Sequence, residues 1–184
     1  MTISSKVFAE HRDWCLSNLK GYQQYWFNGL YRHEPIENVI EILKSRKLLS
    51  RSDALDQSAI KNDIAPERII SKNLIAHPKV RLYFRPRNPT QYHVEGIRRA
   101  NDYYYGKHAG LTILLVFDAE KILTSPDATF SGGNLQSLSY RELRGDKEFK
   151  QLDFRNIYHD GPHYDHNITQ QKCAEVLVPN PLKI

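Results

Sequence analysis

Residues 170–181, QQKCAEVLVPNP, read as a β-strand suited to burial on both faces, and one carboxylate, Glu175, sits inside it. Strand alternation sends Ala174, Val176 and Val178 to one side and Cys173, Glu175 and Leu177 to the other. A carboxylate in such a strand is costly unless it is paired, hydrogen-bonded or turned toward a wet cavity. Glu175 is either a functional group facing a cleft or a structural glutamate paired with an arginine.

Upstream, VRLYFR (80–85) alternates Val80, Leu82 and Phe84 with Arg81, Tyr83 and Arg85, the pattern of a half-buried strand. Pro86 and Pro89 bracket a turn after it. LTILLVF (111–117), ended by Asp118, reads as a strand buried on both faces. Helical spacing marks three earlier segments. Residues 6–20 place Phe8, Cys15 and Leu19 near one face. EPIENVIEILKSRKLLS (34–50) has Pro35 in its first turn, Ile36, Val39, Ile40 and Leu43 on one face, and Lys44, Arg46 and Lys47 at its C-terminal end. DIAPERIISKNLI (63–75) is a shorter helix with Pro66 near its start. Residues 124–170 show little periodicity, and loops of that length are usually functional or disordered. The fold class is α+β with short, separated strands, because the regular βαβ alternation of a doubly wound sheet is missing.

A chain of 184 residues, 40% hydrophobic and 11% aromatic, is long enough for one domain, residues 1–184, with a core of its own. Its net charge of +5 modestly favours a phosphate-bearing partner. Cys15 and Cys173 form no metal-type pair and fit reduced thiols in the cytoplasm. MTISSKVFAEHRDWCL at the start has no signal-peptide core, and LTILLVF is too short to cross a bilayer. A soluble, cytoplasmic protein with no membrane partner is expected.

The sequence lacks G-x-x-x-x-G-K-[ST], a helix-opening G-x-G-x-x-G, H-E-x-x-H and G-x-S-x-G, which argues against P-loop, Rossmann, zincin and α/β-hydrolase chemistry. SGGN (131–134) could form an anion-binding nest of amides or a plain flexible loop. YHDGPHYDH (158–166) gathers His159, His163 and His166 with Asp160 and Asp165, which are metal-ligand types. Its Asp-Gly-Pro turn breaks any helix that would align two of them, so a polar loop is the expectation and no metal is required. YFRPRNPTQY (83–92) sets guanidinium forks beside aromatic faces on a rigid turn. Forks suit phosphate oxygens and aromatics stack on unpaired bases. A solvated turn paired with acidic neighbours is the plainer reading.

Taken in order, His33, Asn38 with Ile42 and Leu43, Leu48 and Leu49, Asp63 and Ile64 with Arg68, YFRPRNP (83–89), LLVFD (114–118) and CAEVLVP (173–179) resemble the DarT family of DNA-base ADP-ribosyltransferases, toxins of DarT–DarG type toxin–antitoxin systems. Pro35, Lys47, Glu67 and the pair Thr90–Gln91 depart from the family pattern and mark a divergent member.

The resemblance implies an ADP-ribosyltransferase fold, a split pair of small β-sheets with flanking helices and NAD+ in the central cleft. It implies transfer of ADP-ribose from NAD+, a substrate rather than a retained cofactor, to thymidine or guanosine in single-stranded DNA. Glu175 and Arg68 would be the catalytic pair. His33, Glu34, Pro35, Asn38, Arg68 and Tyr83 would bind NAD+, and Arg85, Arg87, Asn88, Tyr92, His159 and His163 would meet the DNA. The partner would be an antitoxin of macrodomain or related ADP-ribosyl hydrolase type. A cation-like sugar left by nicotinamide departure needs a nearby negative charge, which a strand-held carboxylate supplies. The competing readings are a non-catalytic single-stranded nucleic-acid-binding module and a metal-dependent hydrolase built on the histidine loop.

Overall fold

The computed structural model describes residues 2–67, 76–137, 139–161 and 165–184. Helix α1, Ser5–Asn18, starts where the Ser4 hydroxyl accepts the Val7 amide at 3.3 Å. It buries Val7, Phe8, His11 and Cys15, and a 3₁₀ run over Gly21–Asn28 buries Trp26 and Phe27. These pack into a core with Leu30, Leu82, Phe84, Phe130, Phe149, Phe154 and Val176. Each large apolar side chain so buried contributes about 1.5–3 kcal/mol.

Five strands form an antiparallel sheet in the order β4-β1-β3-β6-β5: β1 Gly29–Pro35, β3 Val80–Tyr83, β4 Thr112–Asp118, β5 Thr129–Phe130 and β6 Glu175–Val178. A second sheet pairs β2, Lys47–Leu48, with β7, Leu182–Lys183. The mixed helices and two antiparallel sheets are those expected of the α+β class. The β1–β4 register runs unbroken from Gly29↔Asp118 to Pro35↔Thr112, whereas β1 meets β3 at Tyr31↔Tyr83 alone. The large sheet therefore opens between β1 and β3, and that opening makes room for a cleft.

Strand β6 matches its sequence pattern. Ala174, Val176 and Val178 enter the core, and all four strand residues are buried because β6 lies between β3 and β5. Strand β4 does not: it is an edge strand with Leu114 and Val116 exposed, since β1 pairs with it on one side and nothing described covers its outer face. The helix expected at 34–50 is α2, Ile36–Ser45, with Pro35 at its N-cap. It buries Asn38, Val39 and Ile42 and leaves Ile36, Ile40 and Leu43 exposed, a rotation from the expected apolar face. Asn38 must face inward because it anchors the loop at residues 61–62. Short helices complete the fold: α3 Arg51–Asp56, α4 Pro89–Val94, α5 Ala119–Leu123, α6 Asp146–Phe149, α7 Phe154–Ile157 and α8 His166–Gln171. Three of these, or parts of them, lie in the region that showed no periodicity. The helix expected over 63–75 lies mostly outside the described residues.

Among the described residues no helix is long and apolar enough to cross a membrane.

Candidate active site

Glu175 opens β6, directly opposite Tyr83 of β3. Arg81, two residues along β3 on the same face, reaches it diagonally and forms a two-pronged pair: Nε donates to Oε2 at 2.7 Å and Nη2 to Oε1 at 2.5 Å. Only 1% of the Glu175 side chain reaches bulk water. The Ser131 hydroxyl accepts the Glu175 amide at 3.1 Å, and the Ser131 amide donates to the Glu175 carbonyl at 2.8 Å. Backbone and carboxylate are both clamped. Each carboxylate oxygen accepts one bond from Arg81 and keeps a second lone pair. Burial acts against the charge on Arg81, but the Glu175 carboxylate outweighs it and raises the guanidinium pKa.

Glu175, Arg81 and Tyr83 line a cavity of about 350 Å³ together with His33, Glu34 and Asn38, which brings most of the expected NAD+ residues to one place. Burial first, then the Glu175 charge, pushes the Tyr83 phenol up to about 12. The His33 Nε2–H donates to the Pro86 carbonyl, and its Nδ1 is buried with no hydrogen-bond partner among the described residues. Burial lowers the His33 pKa despite that carbonyl, which favours a neutral ring with Nδ1 as an acceptor.

Two of these cavity residues, Glu34 and Asn38, also brace the protein. Glu34 accepts from Arg32 Nε at 2.7 Å and from Asn38 at 3.1 Å. Asn38 Oδ1 accepts the amides of Lys61 at 2.8 Å and Asn62 at 3.0 Å, and its amide group donates to Glu34 and the Asn62 carbonyl. Its side-chain groups are thus engaged within the protein. Pro35 is buried at the N-cap of α2 and does not line the cavity.

The YFRPRNP turn departs from its reading as a display of arginines. Strand β3 ends at Tyr83, and the chain then turns Arg85 inward. Its guanidinium is buried, donates to the Ile157 and His159 carbonyls and lies 5.1 Å from the Trp26 ring centre. Burial lowers its pKa to about 10. Asn88 is buried too, capping α4 by accepting the Gln91 amide at 3.0 Å. Neither is presented to a ligand strand as an exposed fork. Arg87 and Tyr92 are exposed, with Arg87 over the Tyr22 ring and 3.6 Å from Asp160. His159 is partly buried, and its carbonyl serves Arg85.

SGGN is not a nest. Neither Gly132 nor Gly133 has the positive φ that a nest requires, the Ser131 and Asn134 amides are used by Glu175 and Gln170, and a Cβ at Gly133 would meet the Tyr140 ring at 2.5 Å. In the histidine-rich segment, Asp165 accepts the Asn167 amide at the start of α8, while Tyr22, Arg85 and Arg87 surround Asp160. Burial opposes the Asp160 charge, but those three partners hold its pKa below the usual carboxylate value. No three metal-ligating side chains converge among the described residues. Arg68 and His163 lie outside the described residues.

Arg81 is the site residue that the sequence reading missed. Its only signal was its place on the same strand face as Tyr83. A second missed pair, Arg51 and Asp63, is also two-pronged, at 3.0 and 2.7 Å, and lines the same cavity. Burial would raise the Asp63 pKa, but the Arg51 fork and the Ala65 amide bring it below the ordinary value.

No curated protein matches this sequence. The structure resembles DarT of Thermus sp. 2.9 in complex with ADP-ribosylated single-stranded DNA, with a TM-score of 0.70 and 23% identity over 85% of this chain and 77% of that one. The same Thermus protein in complex with NAD+ gives a TM-score of 0.65 at 23% identity and the same coverage. Thermosipho africanus DarTG in complex with ADP-ribose gives 0.66 at 21% identity, over 84% of this chain and 41% of that one. These likenesses establish the ADP-ribosyltransferase fold. The family model described as ssDNA thymidine ADP-ribosyltransferase, DarT, matches residues 31–184, and the chain belongs to that family.

Proposed function

We propose that this chain, acting as one domain over residues 1–184, transfers ADP-ribose from NAD+ to thymidine in single-stranded DNA, with Glu175 as its catalytic carboxylate. One observation carries the reading: in a DarT-family chain, a buried, arginine-clamped carboxylate faces a cavity that His33 and Tyr83 share. The cavity volume of about 350 Å³ suits a small-molecule site. His33, whose ring burial keeps neutral, lines that cavity without adding a charge to it.

When nicotinamide leaves with the electron pair of its bond to ribose C1′, positive charge builds on the sugar. The clamped Glu175 carboxylate stabilises that charge and accepts a ribose hydroxyl, without having to reorganise at the moment of reaction. Arg81, Ser131 and Asn38 are positioning residues in this scheme. Arg68 holds the diphosphate by the resemblance; as a proton acceptor it would be poor, since its pKa exceeds about 12. The acceptor nitrogen of thymine bonds to C1′ and its proton passes to solvent water, which balances the transfer. No step calls on a metal.

Both substrates are found in the cytoplasm, where the protein is proposed to act. A toxin of this kind calls for a partner that reverses the modification, an ADP-ribosyl hydrolase of macrodomain or related type. Support comes from the Thermosipho protein named DarTG, of which this chain covers 41%.

The test is nicotinamide release from NAD+ with and without single-stranded oligonucleotide, before and after chelator. Release that depends on oligonucleotide and ignores chelator is expected. Release that chelator abolishes and zinc restores would favour the hydrolase, and binding without release would favour the non-catalytic module.

A further inference from the structure

The segment between α4 and β4 carries a feature that the transferase site leaves unused. Its neck is pinned where the Ala109 amide donates to the Val94 carbonyl at 2.8 Å, the Gly96 amide to the Ala109 carbonyl at 3.2 Å, and His108 to the Gly96 carbonyl. On this frame the rings form a continuous ladder. Tyr92 lies 5.7 Å from His93, His93 stacks on Tyr104 at 4.8 Å and 15°, and Tyr104 meets Tyr105 at 4.5 Å.

The ladder runs from the cavity to the surface. His93 and Tyr104 line the Glu175 cavity, whereas Tyr92 is 74% and Tyr105 53% exposed. Arg98 closes the outer end with its guanidinium 5.6 Å from the Tyr92 ring centre. Two backbone carbonyls, of Glu95 and Tyr92, hold that guanidinium in place. Neither Arg98 nor the neighbouring Arg99 has an ion-pair partner among the described residues. A ladder that served only to staple the loop would leave no reason for exposed rings beside a fixed, unneutralised cation.

We propose that Tyr92, Tyr105 and Arg98 form a base-stacking subsite for the single-stranded DNA that leads into the Glu175 cavity. This rests on the transferase reading and adds to it where the strand lies. Unpaired bases stack on the tyrosine faces without regard to sequence, and Arg98 takes a backbone phosphate. Because the guanidinium is already oriented, little freedom is lost on binding.

The experiment is anisotropy of a fluorescein-labelled oligothymidylate of about ten nucleotides, a span within that of known single-strand sites, measured without NAD+. Tyr92→Leu and Tyr105→Leu should each raise Kd about tenfold, while Tyr92→Phe and Tyr105→Phe stay within about twofold, since the ring is what matters. Arg98→Gln should lower the slope of log K against log salt by about 0.7. Leucine variants that bind like wild type, phenylalanine variants as weak as the leucine ones, or a matched duplex bound as tightly as the single strand would each overturn the subsite. Because NAD+ is absent, the two readings fail separately. Tight binding of an oligonucleotide that is never modified would sink the transferase alone, and modification with unaffected leucine variants would sink the subsite alone.

Discussion

Arg81 grips both carboxylate oxygens of Glu175 across the β3–β6 pair, at 2.7 and 2.5 Å, and the pair closes one wall of the cavity. The two interpretations that the sequence set against each other, a functional carboxylate and a structural one paired with an arginine, are thus not exclusive. A clamp that fixes the carboxylate's direction is what electrostatic stabilisation of a developing cation requires.

Glu175→Gln should cut the transfer rate by about 10²–10³-fold at saturating NAD+ and oligonucleotide. Glu175→Ala should do the same but also leave Arg81 charged and unpaired. Breaking a buried pair costs about 3–5 kcal/mol, so a fall in melting temperature on the order of 10 °C is expected for a chain of this size. The comparison to make is single-turnover rate beside thermal unfolding. A glutamine variant within a few-fold of wild type would remove Glu175 from the chemistry.

Arg81→Lys keeps the charge and loses the fork. The carboxylate can then swing, and a misplacement of about 1 Å can cost on the order of 100-fold in rate. A drop in kcat of about 10–100-fold with KM for NAD+ within about threefold is expected from steady-state kinetics. A rise in KM with kcat unchanged would instead make Arg81 an NAD+ ligand.

Arg85 and Arg87 should separate cleanly. Arg85→Ala should lower the melting temperature, because each buried carbonyl left without its donor costs about 1–3 kcal/mol. Arg87→Ala should leave it unchanged and reduce the salt slope of oligonucleotide binding by about 0.7. The reverse pattern would return Arg85 to the DNA surface.

His11 is buried, 4.0 Å from the Phe154 ring centre, and burial lowers its pKa to about 3. The unfolded chain takes up a proton near the ordinary imidazole value of about 6.5. Between these two values the unfolded state binds more protons, so stability falls as pH drops from about 6.5 toward 3. Melting temperature measured from pH 7 to pH 5 should therefore fall more steeply in wild type than in His11→Phe. Parallel curves would show that His11 takes no part in the acid response.

The strand elements were readable where a two-residue period met β-branched and aromatic side chains, as in Val80–Tyr83 and Glu175–Val178. The partnership of Arg81 with Glu175 was not, because it depends on the register Tyr83↔Glu175, which no local pattern encodes. Arg85 was misread as exposed for a related reason: alternation was extended past Tyr83, where the strand ends. The open face of β4 reflects sheet order rather than hydropathy. Helices as short as Asp146–Phe149 and Phe154–Ile157 span about one turn and cannot show a helical period.

The most direct measurement is mass spectrometry of single-stranded oligonucleotides that differ in one base, incubated with NAD+ and either wild type or Glu175→Gln. The expected result is one added ADP-ribose on the strand that contains thymidine, none on its duplex, and none with the variant. Unmodified oligonucleotides with NAD+ intact, or a glutamine variant as active as wild type, would contradict it.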